Sequence, residues 1–280
     1  MTGPRAHDVL RANVEYHTAL AERYDETQPH YLPENMARVE RLLREFKARA
    51  GAHENATLLD VGCGTGFIIG IAKRHFSRVI GVDATPAMLN RVDTGGGDVS
   101  LYEGRSEEMP FVPDGSVDVV TAYSLIHHLF DLRPTLSEAF RCLRAGGILY
   151  TDQDPNRSFW SLMHEVKGRA DLPPLVRREV QSVVQVVDEI SRNTGLAAET
   201  VELAEFQKIR GGGIEPDAVY AMLRDVGFHD IEIRYEWFLG EGVLRRQQGE
   251  AVEATIAAYL RSMLPATRHL FKYVAIKAVK

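Results

Sequence analysis

The chain has 280 residues, of which 45% are hydrophobic, and a formal net charge of −6 at pH 7. This length allows one large domain, or a domain with insertions, that buries a full core. Because a mildly acidic surface does not attract phosphate backbones, the charge argues against nucleic acid as a partner. No run approaches the 18 apolar residues of a membrane span, so we expect no membrane partner.

The chain has two cysteines, Cys63 and Cys142, and neither belongs to a CxxC pair. The sequence therefore suggests no zinc site and no disulfide framework. The first residues lack the apolar segment of a signal peptide. We expect a cytoplasmic protein.

Two amphipathic helices are predicted in the N-terminal part, at Val9–Asp25 and Asn35–Ala50. From there the pattern alternates between strands and helices. The predicted strands are Thr57–Val61, Arg78–Asp83, Val99–Tyr102, Val117–Tyr123 and Gly147–Asp152. The helices between them are Thr65–Phe76, one that begins at Pro86, and Pro134–Leu143, which Ala145-Gly146-Gly147 should end. Such alternation indicates a parallel sheet with helices on both faces.

The segment Asn156–Glu215 shows apolar residues at helical spacing and is too long for a simple loop, so we interpret it as an inserted cap. A helix at Asp217–Val226 follows. Strands are then predicted at Ile231–Trp237 and Leu270–Val279, with a helical stretch near Gly249–Met263 between them. The predicted division is an N-terminal helical segment (1–50), a core (51–155), a helical cap (156–215) and the rest of the core (216–280), which has a helical insertion at about 240–268.

A strand that ends in a glycine-rich turn and opens a helix is suited to binding a polar ligand. The run Leu58-Leu59-Asp60-Val61-Gly62-Cys63-Gly64-Thr65-Gly66 has this form. Glycines permit positive φ and close approach of a ligand, and the helix N-terminus offers free N–H groups. Asp83, at the end of the next strand, suits the two hydroxyls of a ribose.

The spacing of the glycines discriminates between ligands. Dinucleotide-binding loops have G-x-G-x-x-G, whereas here Phe67 stands at the third glycine position. Asp60, just before the turn, would repel a pyrophosphate but can hold the ammonium group of an amino acid. The loop thus favours a nucleoside that carries an amino acid.

With these residues the chain resembles the class I S-adenosylmethionine-dependent methyltransferases, in the small-molecule branch that includes ubiquinone- and menaquinone-type enzymes. The resemblance continues downstream in the right order. It includes Val79–Asp83, Pro86–Leu89, Glu103–Phe111, Asp114–Val120 and Leu143–Gly147. It implies a Rossmann-like, doubly wound α/β sheet of seven strands, the last antiparallel, with an N-terminal helical lid and a helical cap. The implied cofactor is S-adenosylmethionine, which becomes S-adenosylhomocysteine.

The resemblance also implies residue roles. Asp60, Gly62 and Gly64 would hold the methionine portion, Asp83 the ribose, and Met88 would pack on the adenine. The full set expected around the cofactor is Tyr24, Asp60, Gly62, Cys63, Gly64, Gly66, Asp83, Ala84, Met88, Ser106, Glu107 and Tyr123.

One departure from the family concerns the adenine. The family usually has an acid where Arg105 stands, and arginine cannot accept a hydrogen bond from the adenine amino group. Either the backbone of Ser106 reads the adenine edge, or Glu107 takes the place of the acid.

The acceptor side is less explicit, because a methyl sulfonium is already activated and the protein mainly supplies alignment and exclusion of water. A base is needed only when the nucleophile must lose a proton. His127, after the fourth strand, is the candidate for this base. The alternative is that His127 and His128 are both packing residues at a helix start.

Further residues are candidates for contact with the acceptor. Tyr24 matches an "A-x-x-Y-D" element whose tyrosine closes over the cofactor, and the other aromatics near it would line the same mouth. The acceptor-side candidates are Tyr16, His17, Tyr31, Asp154, Phe159, Trp160, Met163 and Arg210. The competing interpretation is that the aromatic residues pack helices and that Arg210 lies in a flexible break.

No metal is predicted, because the separated Asp and Asp-Asn ligands of catechol-type O-methyltransferases are not recognisable. The N/D-P-P-Y motif of nucleic-acid amino-methyltransferases is missing where it belongs, at Ala122–Leu125. We therefore expect a methyltransferase (a transferase of class EC 2.1.1) that acts on O, N or C of a small, partly apolar metabolite, for example one of secondary metabolism. The alternatives are an enzyme acting on tRNA or protein, and a non-catalytic S-adenosylmethionine-binding protein. A helical cap of this kind also makes a homodimer one open expectation.

Overall fold

The computed structural model describes residues 3–51 and 54–280. Its centre is one seven-stranded sheet. The strands, numbered in chain order, are β1 Thr57–Val61, β2 Arg78–Asp83, β3 Val99–Glu103, β4 Val117–Tyr123, β5 Leu143–Pro155, β6 His229–Phe238 and β7 Phe271–Val279. Their order across the sheet is β3-β2-β1-β4-β5-β7-β6. The first five run parallel, and β7 is antiparallel to both of its neighbours. This confirms the predicted fold class.

Helices cover both faces of the sheet, as parallel strands require. In chain order the helices are α1 Ala6–Leu20, α2 Tyr24–Thr27, α3 Pro33–Arg49, α4 Phe67–Ala72, α5 Pro86–Leu89, α6 Arg133–Cys142, α7 Arg157–Val166, α8 Pro174–Val184, α9 Val186–Thr194, α10 Ala198–Ala204, α11 Phe206–Ile209, α12 Pro216–Val226, α13 Glu241–Gln248 and α14 Glu250–Ser262. One core, between the sheet and α3 and α4, contains Phe46, Leu58 and Ile68; the other, beneath α6 and α12, contains Leu59, Leu136 and Leu223.

The segment between β5 and α12 folds as the helices α7 to α11. Its two ends meet at the edge of the sheet, where Ile214 N donates to Pro155 O over 2.7 Å and Arg157 N donates to Ile214 O over 3.0 Å. The segment has its own apolar cluster around Phe159, Met163 and Val180. The two ends of the segment are therefore joined at the end of β5, and the segment packs internally, as an inserted cap would.

The N-terminal helix α1 packs on this cap. Ala12 and Tyr16 form a buried cluster with Ala204 at the end of α10. Asn13 adds a hydrogen bond of 3.0 Å from Nδ2 to the backbone oxygen of His128, which follows β4. Residues from the N-terminal helix and from the cap therefore close over the carboxyl ends of the central strands.

Some predicted bounds differ from the structure. The first helix ends at Leu20 and is followed by a 3-10 turn, Ala21–Arg23, instead of continuing to Asp25. Helix α4 spans only Phe67–Ala72: it begins after Gly66, whose φ is +94°, and residues 73–75 form a turn instead of continuing the helix. Strand β5 is longer than predicted: it begins at Leu143, includes Gly146 and Gly147, and runs to Pro155.

Candidate active site

The glycine loop between β1 and α4 is shaped by positive φ angles, +66° at Gly62 and +52° at Gly64. The backbone N–H groups of Gly62 and Cys63 both donate to Val82 O, over 2.8 and 3.0 Å, so the loop is fixed to β2. A Cβ at Gly62 would lie 2.5 Å from Leu125 Cδ1, whereas a Cβ at Gly64 would meet no atom within 4 Å. The backbone at Gly64 thus borders open space that a ligand can approach.

Two carboxylates flank this loop. Asp83, at the end of β2, accepts from Gly64 N through Oδ2 (2.9 Å) and from Thr85 N through Oδ1 (2.8 Å). Asp60, at the end of β1, accepts from Thr121 Oγ1 over 2.7 Å. Burial raises the pKa of Asp60 to about 7, with Thr121 lowering it and Asp83 raising it further. A cation beside Asp60 would restore the charged form.

The first cleft, which we call the donor cleft, lies above this loop and encloses about 1010 Å³. It brings together most of the residues expected around the cofactor: Tyr24, Asp60, Gly62, Cys63, Gly64, Asp83, Ala84, Ser106, Glu107 and Tyr123. Gly66 and Met88 are not among its lining residues, and Met88 is fully buried. The acids and the open glycine backbone that line the cleft suit a nucleoside with an attached amino acid.

One end of the donor cleft is formed by the loop after β3. Ser106 Oγ lies 2.8 Å from Thr135 Oγ1 of α6, and Glu107 Oε1 accepts from Arg105 over 3.2 Å. Gly104, Arg105, Ser106 and Glu107 all line the cleft, so both alternatives for reading an adenine edge remain available.

The other wall of the donor cleft comes from the N-terminal segment. Tyr31 and Thr65 share a hydrogen bond of 2.8 Å between their hydroxyls, and Thr65 Oγ1 donates to Asp25 Oδ1 over 2.5 Å. His30 also lines the cleft and was not predicted. Burial lowers the pKa of His30 to about 4, against a raising effect of Asp25, so its ring is neutral at physiological pH.

A second cleft of about 960 Å³, which we call the acceptor cleft, lies between the ends of β4 and β5 and the cap. Of the residues predicted to contact an acceptor, Tyr16, His17, Phe159 and Trp160 line it, as does His127. Tyr31 lines only the donor cleft. The residues that line both clefts are His17, Tyr24, His30, Ser124 and His128. The two cavities therefore meet at the carboxyl end of β4.

Three predicted acceptor residues, Asp154, Met163 and Arg210, line neither cleft. Met163 is fully buried in the cluster inside the cap. Arg210 forms a partly exposed ion pair with Glu202, at 2.6 Å. Met163 therefore packs the interior of the cap, and Arg210 is held by an ion pair, so neither side chain lines a cleft.

His127 is held by a carboxylate from the neighbouring strand. Asp154 Oδ1 accepts from the backbone N–H of His127 over 3.2 Å and lies 2.8 Å from its Nδ1. Because Oδ1 already acts as an acceptor, we assign the ring proton to Nδ1, which leaves the lone pair on Nε2. Asp154 does not line the acceptor cleft, so its contact with the cleft is made through His127.

The Nε2 side of His127 faces Glu205, at the break between α10 and α11, with 3.5 Å between Nε2 and Oε2. Glu205 Oε2 also lies 3.1 Å from the ammonium of Lys208, and Oε1 accepts from Tyr16 OH over 3.2 Å. Burial alone would raise the pKa of Glu205, but Lys208 and the two histidines lower it below its usual range. Burial lowers the pKa of His127, so that its imidazole is neutral.

His127, His128 and Glu205 each place one potential metal-ligand atom within 4.8 Å of the others. His128 Nδ1 donates to Ala204 O over 2.7 Å, so its Nε2 is unprotonated too. The ammonium of Lys208 already supplies positive charge beside Glu205. The cluster is thus balanced in charge by side chains of the chain itself.

Several residues of the acceptor cleft were missed by the sequence analysis. Glu205 and Lys208 come from the cap, whose packing no local motif predicts. Ser124 and Gln153, which both line the cleft, have φ angles of +54° and +63°. Asp154 was among the predicted acceptor residues, but a strand pattern gives no signal for a left-handed residue at Gln153.

A sheet of this order with a glycine loop and an acid on adjacent strand ends defines a nucleoside-binding Rossmann-like protein. Residues 59–151 match the family model described as a methyltransferase domain. A probable S-adenosylmethionine-dependent methyltransferase of Mycolicibacterium smegmatis is 30% identical over 195 residues, 69% of this chain and 65% of that protein. The chain thus covers less than two thirds of that relative's length.

A ubiquinone biosynthesis O-methyltransferase of Cronobacter sakazakii is 27% identical over 163 residues, 56% of this chain and 66% of that protein. The crystal structure of the plantazolicin methyltransferase BamL, in complex with a triazolic desmethylPZN analog and S-adenosylhomocysteine, superposes with a TM-score of 0.56. It is 13% identical and covers 98% of this chain and 97% of its own, so it supports the fold alone.

The chain carries the methyltransferase domain of the class I S-adenosylmethionine-dependent family, and S-adenosylmethionine is its cofactor. The family resemblance predicted from the motifs is confirmed. Within the described residues, no helix combines the length and apolar character that crossing a bilayer requires.

Proposed function

We propose that the protein transfers the methyl group of S-adenosylmethionine to an O, N or C atom of a small, partly apolar metabolite. The observation that carries this proposal is the junction of the two clefts at Ser124 and His128. A donor bound on the glycine loop and an acceptor bound under the cap would meet there, which is the alignment that an in-line displacement needs.

The described residues fit the donor. Asp60 would pair with its ammonium group, the backbone at Gly64 would border its methionine portion, and Asp83 would accept from its ribose hydroxyls. When bound, S-adenosylmethionine supplies an electrophilic methyl group on a positively charged sulfur. Tyr24, Tyr31 and His30 would close the cleft and exclude water.

On the acceptor side we assign His127 as the general base. Its Nε2 lone pair would take the proton that the nucleophile loses, as the new bond to the methyl carbon forms and the carbon–sulfur bond breaks. The electron pair of that broken bond stays on sulfur, which gives S-adenosylhomocysteine. Asp154 would hold the ring orientation, and Glu205 would stabilise the imidazolium that forms.

A small acceptor is favoured because the cap encloses the second cleft. Phe159 and Trp160 provide apolar surface, and the chain's net charge of −6 argues against nucleic acid. The Cronobacter relative is named for methylation of an oxygen in a quinone pathway, which is consistent with a small acceptor. Both cysteines are buried and unpaired, which fits the reducing conditions of a cytoplasm.

Calorimetry with S-adenosylmethionine and S-adenosylhomocysteine tests the donor part of the proposal. We expect saturable binding of both to the full chain at a single site. A labelled-methyl assay with a panel of phenols, amines and small acids then tests transfer. A wild-type protein that binds neither cofactor form would overturn the proposed function as a whole.

A further inference from the structure

Two buried polar atoms of the acceptor cleft have no hydrogen-bond partner among the described residues. They are Nε2 of Gln153 and Oε2 of Glu205, although the latter has its ion pair with Lys208. Buried polar atoms in proteins are nearly always paired, and an unpaired one costs free energy. Because both residues line the cleft, a ligand there can supply the missing partners.

The backbone at Gln153 supports a role in binding. The antiparallel pairing of β5 with β7 is regular up to Thr151 and resumes with shifted register at Asp154, so Gln153 lies in an irregularity of the strand. Its φ of +63° is unfavourable for a residue with a side chain. Irregularities of this kind re-aim side chains beside active sites, and unfavourable φ angles persist where function requires them.

Strand β4, which pairs with β5, is also followed by a left-handed residue at the carboxyl edge of the sheet. Ser124, at the end of β4, has φ +54°, and its N–H donates to Asp152 O over 2.7 Å. The two left-handed residues are therefore linked through the strand ends, and both line the acceptor cleft. Gln153 is only 4% exposed and lines the cleft, so the strand irregularity places a buried amide beside it.

Gln153 immediately precedes Asp154, which positions His127. The polar end of the cleft thus combines a hydrogen-bond donor, Gln153 Nε2, with two acceptors, His127 Nε2 and Glu205 Oε2. A hydroxyl can donate to the acceptors, and a carbonyl oxygen can accept from the amide. Phe159, Trp160, Val183, Val186 and Tyr273 add apolar or aromatic surface to the cleft, and the ion pair between Lys272 and Glu179, at 2.7 Å, also lines it.

We infer that the acceptor is a flat apolar, preferably aromatic, molecule with two oxygens near each other: a hydroxyl directed to His127 and a carbonyl oxygen that accepts from Gln153. This inference rests on the proposed function, because it assigns a substrate class to the same cleft. Gln153 is then a specificity-determining residue, which contacts the acceptor but takes no part in moving the proton.

The test is calorimetry on the full chain saturated with S-adenosylhomocysteine, which prevents turnover. The probes are 2′- and 3′-hydroxyacetophenone, each paired with the ethylphenol that lacks only the carbonyl oxygen. At least one hydroxyketone should bind about tenfold more tightly than its ethylphenol, which is the effect of one buried hydrogen bond. Gln153→Met should abolish this preference, and Gln181→Met, on the exposed face of α8, should keep it.

Gln153→Glu gives a second readout, because an ionised carboxylate repels a carbonyl oxygen: the hydroxyketone should then bind no better than the ethylphenol. Equal affinities in the wild type, no binding of any phenol, or a preference that survives both Gln153 substitutions would each overturn the inference. A failure to bind S-adenosylhomocysteine in the first step would instead refute the function proposed above.

Discussion

The donor and acceptor clefts are neighbours, but the chain builds them in different ways. Most of the donor cleft comes from residues close to one another along the first strands, and its polar atoms are largely paired within the protein, as at Asp83. The acceptor cleft joins α1, two strand ends and the cap, and it keeps an unpaired amide nitrogen at Gln153 and a carboxylate oxygen at Glu205 whose partner is the ion pair with Lys208. The donor cleft therefore suits a ligand that related enzymes share, whereas the acceptor cleft suits a ligand that is specific to this protein.

The largest expected effect is that of replacing His127, which should impair methyl transfer but leave binding in the donor cleft intact. For an acceptor that must lose a proton, His127→Ala should lower kcat/KM by about 10²-fold or more, since it removes the base. The affinity for S-adenosylhomocysteine should stay within about twofold of the wild type, because the ring does not line the donor cleft. Steady-state kinetics and calorimetry check the two parts.

His164→Ala, on an exposed part of α7, is the matched control and should leave both values unchanged. Burial keeps the pKa of His127 low, so the wild-type rate should not fall between pH 8 and pH 6 as it would with an ordinary histidine. Full turnover by His127→Ala at every pH would remove the base assignment.

The next effect is on the donor side. Asp83→Ala should weaken S-adenosylmethionine binding by about ten- to a hundredfold, because it removes a charged acceptor for the ribose and frees Gly64 N and Thr85 N from their carboxylate. Calorimetry measures the loss, and the melting temperature without ligand checks that the variant folds. Asp98→Ala, an exposed acid before β3, should bind normally. Equal affinities for both variants would mean that Asp83 is not at the ribose.

A pH dependence of binding should come from Asp60. Its raised pKa of about 7 means that much of the free protein holds a proton there at neutral pH, whereas a bound ammonium requires the carboxylate. Binding should therefore release a proton, and affinity should fall about tenfold per pH unit as the pH drops below 7. Calorimetry between pH 5.5 and 7 in buffers of different ionisation enthalpy measures both quantities.

Asp60→Asn should bind more weakly and lose both the proton release and the pH dependence. An unchanged pH profile in this variant would assign the titration to another group and separate Asp60 from the ammonium.

The smallest expected effect is that of a chelator. Because Lys208 already neutralises Glu205 at 3.1 Å, we propose that His127, His128 and Glu205 act without a metal. Dialysis against EDTA should leave the transfer rate within about twofold of its starting value. A rate that falls and is restored by Mg²⁺ or Zn²⁺ would instead make this cluster a metal site and exclude His127 as the free base.

The comparison of the clefts also explains what the sequence could predict. The parallel sheet follows from the alternation of strands and helices, the seven-stranded fold from the family resemblance, and the glycine loop with Asp60 and Asp83 lies within two consecutive strands. Glu205 reaches His127 only because the cap packs against α1, through Tyr16 and Ala204. Such a contact depends on tertiary packing, which no spacing along the chain encodes.

Element ends were predicted less well, for a related reason. A period-2 strand pattern cannot show that Gln153 adopts φ +63°, and helical periodicity from Val9 to Asp25 does not reveal the break after Leu20. In both places the observed backbone serves the wall of a cleft. Met163 was predicted to contact the acceptor because of its helical spacing with Phe159. In the structure it lies instead in the apolar core of the cap.

The central claim is that one cleft holds the methyl donor and the other the acceptor, with the methyl group passed between them at Ser124 and His128. A crystal structure with S-adenosylhomocysteine tests it most directly. We predict that the ammonium lies at Asp60, the ribose hydroxyls at Asp83, and the sulfur at the junction, facing the acceptor cleft. A ligand whose sulfur points away from that cleft, or which binds outside the glycine loop, would contradict the account.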